Sequence, residues 1–276
     1  MTFRGRILSR LLTVLIAVAG LISVSALPAV AGHSRTVQYV ALGDSYAAGQ
    51  GAGDYFDEDC LRSADGYPAL LDSLRRLHLR ANASCSGDKT TDVLDQQVSA
   101  LNTGTGLVTL TVGANDLGVA AVARVCIANP TSPDCQRAIG DAVGRLPQLA
   151  ASLSEVYTAI ATAAPRAKIL VTGYPYLFNP STPCTPTSVE IVCQINAATT
   201  LLNQTIASTV ATMPDSIDIQ YVDVTVAFEG HGIGGDLELY INDSGTDAYH
   251  PNVAGYEAYA EALIAALRRT GLGRAS

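Results

Sequence analysis

Ser45 stands in the run Gly43-Asp44-Ser45-Tyr46, directly after the apolar stretch Val37 to Leu42. A serine at such a strand-to-turn junction is a candidate nucleophile. Its hydroxyl is unreactive at neutral pH unless a base takes the proton and hydrogen-bond donors hold the resulting oxyanion, so the assignment requires a histidine and N–H groups elsewhere. Three further islands carry groups of those kinds: Cys85-Ser86-Gly87-Asp88-Lys89-Thr90, Gly113-Ala114-Asn115-Asp116-Leu117-Gly118 and Asp247-Ala248-Tyr249-His250-Pro251. Taken singly, each has an ordinary structural reading. A strand-end serine caps a helix, an isolated glycine makes a turn, Asn-Asp after a strand is turn chemistry, and a histidine ahead of a helix is a capping or surface residue. What raises them above that reading is their joint occurrence, and the strand-end setting of two of them, since open α/β sheets place ligands at the carboxyl ends of their strands.

In order and setting the four islands resemble the four signature blocks of the SGNH hydrolase superfamily, also called GDSL esterases and lipases, and in particular its secreted actinobacterial lipase-like branch. The resemblance runs from Gly43 to Pro251. It implies that Ser45 attacks the substrate carbonyl while its own N–H faces the oxyanion; Tyr46 stands where the family usually has Leu, a change common in the secreted branch. Gly87 matches the glycine whose backbone N–H is a second oxyanion donor, a place suited to glycine because the main chain must approach the reacting carbon without a Cβ in the way. Asn115 matches the asparagine whose side-chain amide donates the third bond. His250 is implied to take the Ser45 proton and return it to the leaving alcohol, with Asp247 holding the imidazole tautomer. In some members of the branch a backbone carbonyl replaces that carboxylate.

The same resemblance implies hydrolysis of carboxylic esters of acyl or lipid type through an acyl-enzyme, with no cofactor and no metal, because protein donors alone polarise the carbonyl. Phospholipids, sugar acetates and thioesters suit the same site. Sugar stacking would fall to tyrosine, since the chain has no Trp; Tyr46, Tyr174, Tyr176 and Tyr249 lie near the islands or the expected strand ends. A secreted binding module could keep such a fold without turnover, but a relative of that kind is expected to have lost Ser45 or His250. An α/β-hydrolase is excluded: its nucleophile lies in Gly-x-Ser-x-Gly after several strands, whereas position 47 is Ala and only one strand can precede Ser45. No phosphate-binding Gly-x-x-x-x-Gly-Lys loop occurs.

The elements that must position these islands read as an α/β chain. Apolar, β-branched runs at Val37 to Leu42, Leu77 to Ala81, Leu107 to Val112, Ile169 to Thr172 and Ile217 to Val222 are short enough for buried parallel strands. Between them Tyr67 to Leu77, Thr91 to Leu101, Asp141 to Ala164 and Ala197 to Met213 repeat apolar residues at helical spacing, and a last helix is expected from Pro251 through Leu267. The alternation predicts an α/β/α sandwich with right-handed crossovers, and the resemblance specifies a mainly parallel, flavodoxin-like sheet. Phe178 to Cys193, with three prolines, reads as a loop, as does Gly230 to Gly235, and His231 in that loop matches none of the four blocks.

Arg4, Arg6 and Arg10, an apolar stretch from Leu11 to about Val30 and the small-x-small site Ala29-Val30-Ala31 form a secretory signal peptide, with cleavage expected near Ala31. The remaining residues 32–276 suit one domain. Without the three leader arginines, 14 basic side chains face 25 acidic ones, a formal charge of −11. Such a chain is a poor partner for nucleic acid or anionic lipid, and a soluble monomer acting on a small-molecule or lipid ester is expected. Six cysteines in an exported chain predict three disulfides. Of the possible connectivities the sequence-local one is simplest: Cys60–Cys85, Cys126–Cys135 and Cys184–Cys193. No Cys-x-x-Cys occurs, and the four histidines lack ligand spacing, which argues against zinc.

Overall fold

The apolar run ahead of Ser45 forms β1 (Val37–Gly43) in the computed structural model of the chain, which describes residues 36–180, 183–185 and 190–269. The expected signal peptide, residues 1–31, lies outside the described residues. β1 leads through α1 (Ser45–Ala48) into a two-stranded antiparallel hairpin, β2 (Tyr55–Asp57) and β3 (Arg62–Ser63), then α2 (Tyr67–Asp72) and β4 (Leu77–Asn82). A single turn, α3 (Thr90–Asp92), widens into a π turn over 93–97 and then tightens into a 3-10 turn over 98–100 before β5 (Thr105–Thr111). Next come α4 (Ala114–Leu117), α5 (Val119–Ala128), α6 (Pro133–Gly144), α7 (Leu146–Ala163) and β6 (Lys168–Thr172). After α8 (Ile191–Ala211) and β7 (Ile219–Val222), a 3-10 turn over 225–228 and a long loop reach α9 (Val253–Arg269).

The five long strands form one parallel sheet in the order β4-β1-β5-β6-β7. Renumbered among themselves this is 2-1-3-4-5, the flavodoxin-like order, and the reversal of direction falls beside β1. Helices cover the sheet: α2 packs with α9, and α7 with α8. β1 from Tyr39 to Gly43 is buried without alternation, as a strand covered on both faces must be. The core also holds five fully buried tyrosines. Three of them send their hydroxyls into a threonine ladder across the sheet, Tyr39 to Thr109 (2.7 Å), Tyr67 to Thr111 (3.0 Å) and Tyr259 to Thr172 (2.8 Å), so that apolar bulk is gained without orphaned O–H groups.

The expected strands lie within two residues of the observed ones, and all three expected disulfides are present, with Cα separations of 4.4, 4.6 and 5.5 Å for Cys60–Cys85, Cys126–Cys135 and Cys184–Cys193. Several helices differ from expectation. The span Asp141 to Ala164 is two helices that break at Arg145, because Pro147 has no N–H to return to Val143 and stands in the first turn of α7. Thr91 to Leu101 is no continuous α-helix but the α, π and 3-10 sequence above. The last helix starts at Val253, two residues after Pro251, with the Asn252 side chain accepting the Gly255 N–H (3.0 Å) as its cap. The hairpin of β2 and β3, and the pair α5 and α6, are additions that the periodicity did not announce.

Gly43 ends β1 with φ +130°, and a Cβ there would run into the carbonyl oxygen of Thr111 on β5. Gly43→Ala is therefore expected to cost about 2 kcal/mol or more in a urea unfolding curve; a loss under roughly 0.5 kcal/mol, the size of an ordinary surface change, would contradict the backbone described.

Candidate active site

The sharp turn at Gly43 hands the chain to Asp44, whose carboxylate accepts the Tyr46 N–H (3.0 Å) and so caps α1. Ser45 is thereby the first residue of a helix at the carboxyl end of β1, where the leading N–H groups have no intrahelical partners. Its hydroxyl oxygen lies 2.8 Å from Nε2 of His250. The histidine arrives on a loop held from two sides. Tyr46 donates to the carbonyl of Tyr249 (2.6 Å), and Asn242 donates to the carbonyls of Gly51 (3.0 Å) and His250 (3.2 Å). Tyr249 itself adopts φ +68°, a costly conformation for a side chain of that size, which turns the chain so that the next residue faces Ser45.

Nδ1 of His250 lies 3.2 Å from the carbonyl oxygen of Ala248. The Asp247 carboxylate, expected at that nitrogen, instead accepts from the Gln50 amide (3.3 Å), whose oxygen in turn accepts from Ser86 (2.6 Å). The reason is local: the two-residue reach from Ala248 to the ring is satisfied by the backbone of the same turn, and Asp247 faces the Gln50 side. Burial lowers the pKa of His250 below its ordinary 6.5, against smaller upward contributions from the Ala248 and Asp247 backbone and the Asp247 charge. Asp44, fully buried beside Ser45, is pushed up to about 7 by burial, with the Tyr174 hydroxyl (2.5 Å) and the Tyr46 N–H opposing.

The donor islands converge on the same strand ends. Asn115, in α4 after β5, gives its side-chain amide to the Asp88 carbonyl (2.9 Å) and lines the same cavity as Ser45 and His250. Gly87, next to Asp88, has φ +90°, and a Cβ there would meet no protein atom within 4 Å; the backbone conformation, not crowding by the protein, is what demands glycine. Asp116 accepts from both the N–H (3.2 Å) and the hydroxyl (2.5 Å) of Thr90 and binds the second island to the third. Tyr174 binds the first to the third, because its hydroxyl donates to Asp44 and accepts the Ala114 N–H (3.2 Å). Sequence inspection gave no role to Asp44 or Gln50 and named Tyr174 only as a stacking ring; the one available signal was that Asp44 abuts Ser45. His231 takes no part: it stacks on Tyr240 at 3.7 Å and bonds the Glu238 carbonyl through Nδ1 (2.7 Å).

Behind Ser45 opens a cavity of about 200 Å³. Its walls are Val122 and Ile127 of α5, Ile139 of α6, Leu146 of α7, and Ile195 and Leu202 of α8. The lining is predominantly apolar. Among the described residues no group of His, Cys, Asp and Glu could hold a metal ion.

The pattern of the GDSL-like Lipase/Acylhydrolase family matches residues 41–258. The chain belongs to that family. It is a carboxylic ester hydrolase of esterase or lipase type. It is 35% identical over 225 residues to Lipase 1 of Streptomyces coelicolor, covering 79% of this chain and 81% of that one. Its fold is similar to that of the extracellular lipase from Streptomyces rimosus, with a TM-score of 0.75 at 34% identity over 84% of this chain and 100% of that one. The same TM-score and identity relate it to phospholipase A1 from Streptomyces albidoflavus NA297, over 83% of this chain and 99% of that one.

For a histidine acting as general base, a lowered pKa keeps the ring neutral to more acid pH. The acid limb of the kcat/KM profile on a soluble ester is therefore expected to have its midpoint below 6.5, the ordinary value for histidine. A midpoint above that value would contradict the desolvated setting of the ring.

Proposed function

We propose that the protein is a secreted serine lipase, a single hydrolase domain over residues 32–276 released from the signal peptide 1–31, which cleaves esters of apolar acyl chains. Ser45 attacks the ester carbonyl as His250 takes the hydroxyl proton. The ring then returns that proton to the leaving alcohol, and water repeats the sequence to free the acid from the acyl-enzyme. The N–H groups of Ser45 and Gly87 and the Asn115 amide receive the oxyanion, with Asn115 exchanging its bond to the Asp88 carbonyl for one to the substrate. The Ala248 carbonyl holds the ring through Nδ1, and Asp247 contributes at one remove, through Gln50 and its charge.

The observation that carries this reading is the 2.8 Å contact between Ser45 and His250 at the mouth of an apolar cavity. A sugar acetate would leave the apolar cavity unused, and Tyr46 and Tyr174 offer no face for stacking because both are buried and hydrogen-bonded beside Ser45. Phospholipids fit the same acyl site and are favoured as a second substrate class by the similarity to phospholipase A1.

Ser45→Ala is expected to abolish hydrolysis across p-nitrophenyl esters from acetate to palmitate while the protein remains folded; the parent should prefer chains longer than acetate, and activity of the variant within a few-fold of the parent would overturn the nucleophile. Asp247→Asn should retain kcat within about tenfold, far short of the roughly 10⁴-fold loss seen when a carboxylate sets the tautomer directly. A loss near 10⁴ would restore Asp247 to the ring.

A further inference from the structure

Gln97 belongs to none of the four islands. It closes the π turn over 93–97, is 2% exposed, and uses all the hydrogen-bonding capacity that the turn points inward. Its Oε1 accepts the Gly43 N–H at 2.7 Å; its Nε2 donates to the Gly43 carbonyl at 2.8 Å and to the Asp88 carboxylate at 2.7 Å. One amide therefore grips both polar groups of the residue two before Ser45, and also the residue next to Gly87. Asp88 then carries the connection onward, since its carbonyl accepts the Asn115 amide at 2.9 Å. An uninterrupted α-helix has a rise and phase that differ from those of a π turn, and widened turns of this kind recur at functional sites.

We propose that Gln97 is a positioning residue that sets the spacing of the three oxyanion donors, Ser45 N–H, Gly87 N–H and the Asn115 amide. The proposal rests on the oxyanion reading above. The two contacts of Gln97 lie on separate segments, the last residue of β1 and the loop after β4, which the sheet itself does not join at this level: the β1–β4 pairing ends at Ala41 and Asn82. Beyond it the Ala83 N–H reaches the Ala41 carbonyl at 2.8 Å, the Cys85 N–H the Gly43 carbonyl at 3.1 Å and the Ser86 hydroxyl the Gln50 side chain at 2.6 Å, and Gln97 adds the cross-link from Gly43 to Asp88. Because a displacement of about 1 Å in catalytic geometry is worth on the order of 10² in rate, this cross-link acts on turnover rather than on ground-state binding of the acyl chain, whose walls lie on other helices.

The test is Gln97→Glu, which keeps the acceptor for Gly43 and replaces the two donated bonds by a carboxylate facing Asp88. On a p-nitrophenyl ester near pH 8, kcat is expected to fall by on the order of 10² with KM within about threefold, and binding of a boronic acid that mimics the tetrahedral adduct to weaken by a similar factor. Relative to the parent, the variant should recover as pH falls and one of the facing carboxyls protonates. Gln97→Glu with Asp88→Asn exchanges donor and acceptor at residue 88 alone, since the Gly43 carbonyl then faces a carboxylate oxygen, and should restore only part of kcat. Gln97→Met, neutral and of similar length, gives the same comparison where the facing charges prevent folding. A lowered melting temperature with unchanged kcat and boronate affinity in both Gln97→Glu and Gln97→Met would overturn the proposal. Asn115→Ala in the same assay separates the two ideas: no loss of kcat there would remove the oxyanion reading itself, whereas a loss near 10² beside an unaffected Gln97→Glu would remove only the role of Gln97.

Discussion

The hydrogen bond between Ser45 and His250 spans 205 residues of sequence at 2.8 Å, and no backbone ladder joins the two. It exists because a parallel sheet ends all its strands at one edge, so that loops from opposite ends of the chain are delivered to the same rim. The sheet fixes that rim only to the precision of strand ends, a few ångströms. Hydrogen-bonding chemistry demands tenths. The difference is made up by side chains: Tyr46 and Asn242 on the histidine loop, Tyr174 and Asp116 on the asparagine turn, and Gln97 and Gln50 on the loop after β4. Most of these are buried or half-buried amides and hydroxyls, whose bonds are worth most where water cannot compete.

That arrangement explains an otherwise costly choice. Asp44 is a fully buried carboxyl one residue from the nucleophile, with its pKa pushed up to about 7 by burial. An apolar residue would relieve the burial cost, yet could neither cap α1 through the Tyr46 N–H nor receive Tyr174. Cap and tether are both needed to hold the first turn of a four-residue helix that has too few internal bonds to hold itself.

The strands were legible from the sequence because a strand buried on both faces is a continuous β-branched run, as Val37 to Leu42 and Leu107 to Val112 are. The four islands were legible because they combine glycine-rich turns with chemistry-bearing residues at strand ends. α5 was not: Val119 to Ala128 is apolar on nearly every side, so it has no periodic stripe to read, and it is half-exposed because it roofs a cavity instead of packing on the sheet. The break before Pro147 was visible in principle and was overridden by a strong flanking periodicity. Tyr174 stood out only by its place near an expected strand end, and Gln50 and Gln97 could not have been found at all, since a glutamine in the middle of a helix or loop carries no local signal of what it will meet across the fold.

Asp247 illustrates the limit most clearly. An Asp three residues before a His on one turn is what a carboxylate–imidazole pair requires, and spacing alone cannot say whether the acid or the intervening carbonyl reaches Nδ1. The backbone decides. With Tyr249 at φ +68° the turn folds back sharply enough for the Ala248 carbonyl to come within 3.2 Å of the ring, and the acid is left to face Gln50. A neutral carbonyl fixes the tautomer as well as a carboxylate would, but offers less to the imidazolium that forms in the transition state. Part of that stabilisation can still come from Asp247 as a nearby charge, which raises the pKa of His250 without touching its nitrogen. The position is therefore under electrostatic rather than geometric demand, and a demand of that kind leaves the sequence free to vary where the hydrogen bond to Nδ1 does not.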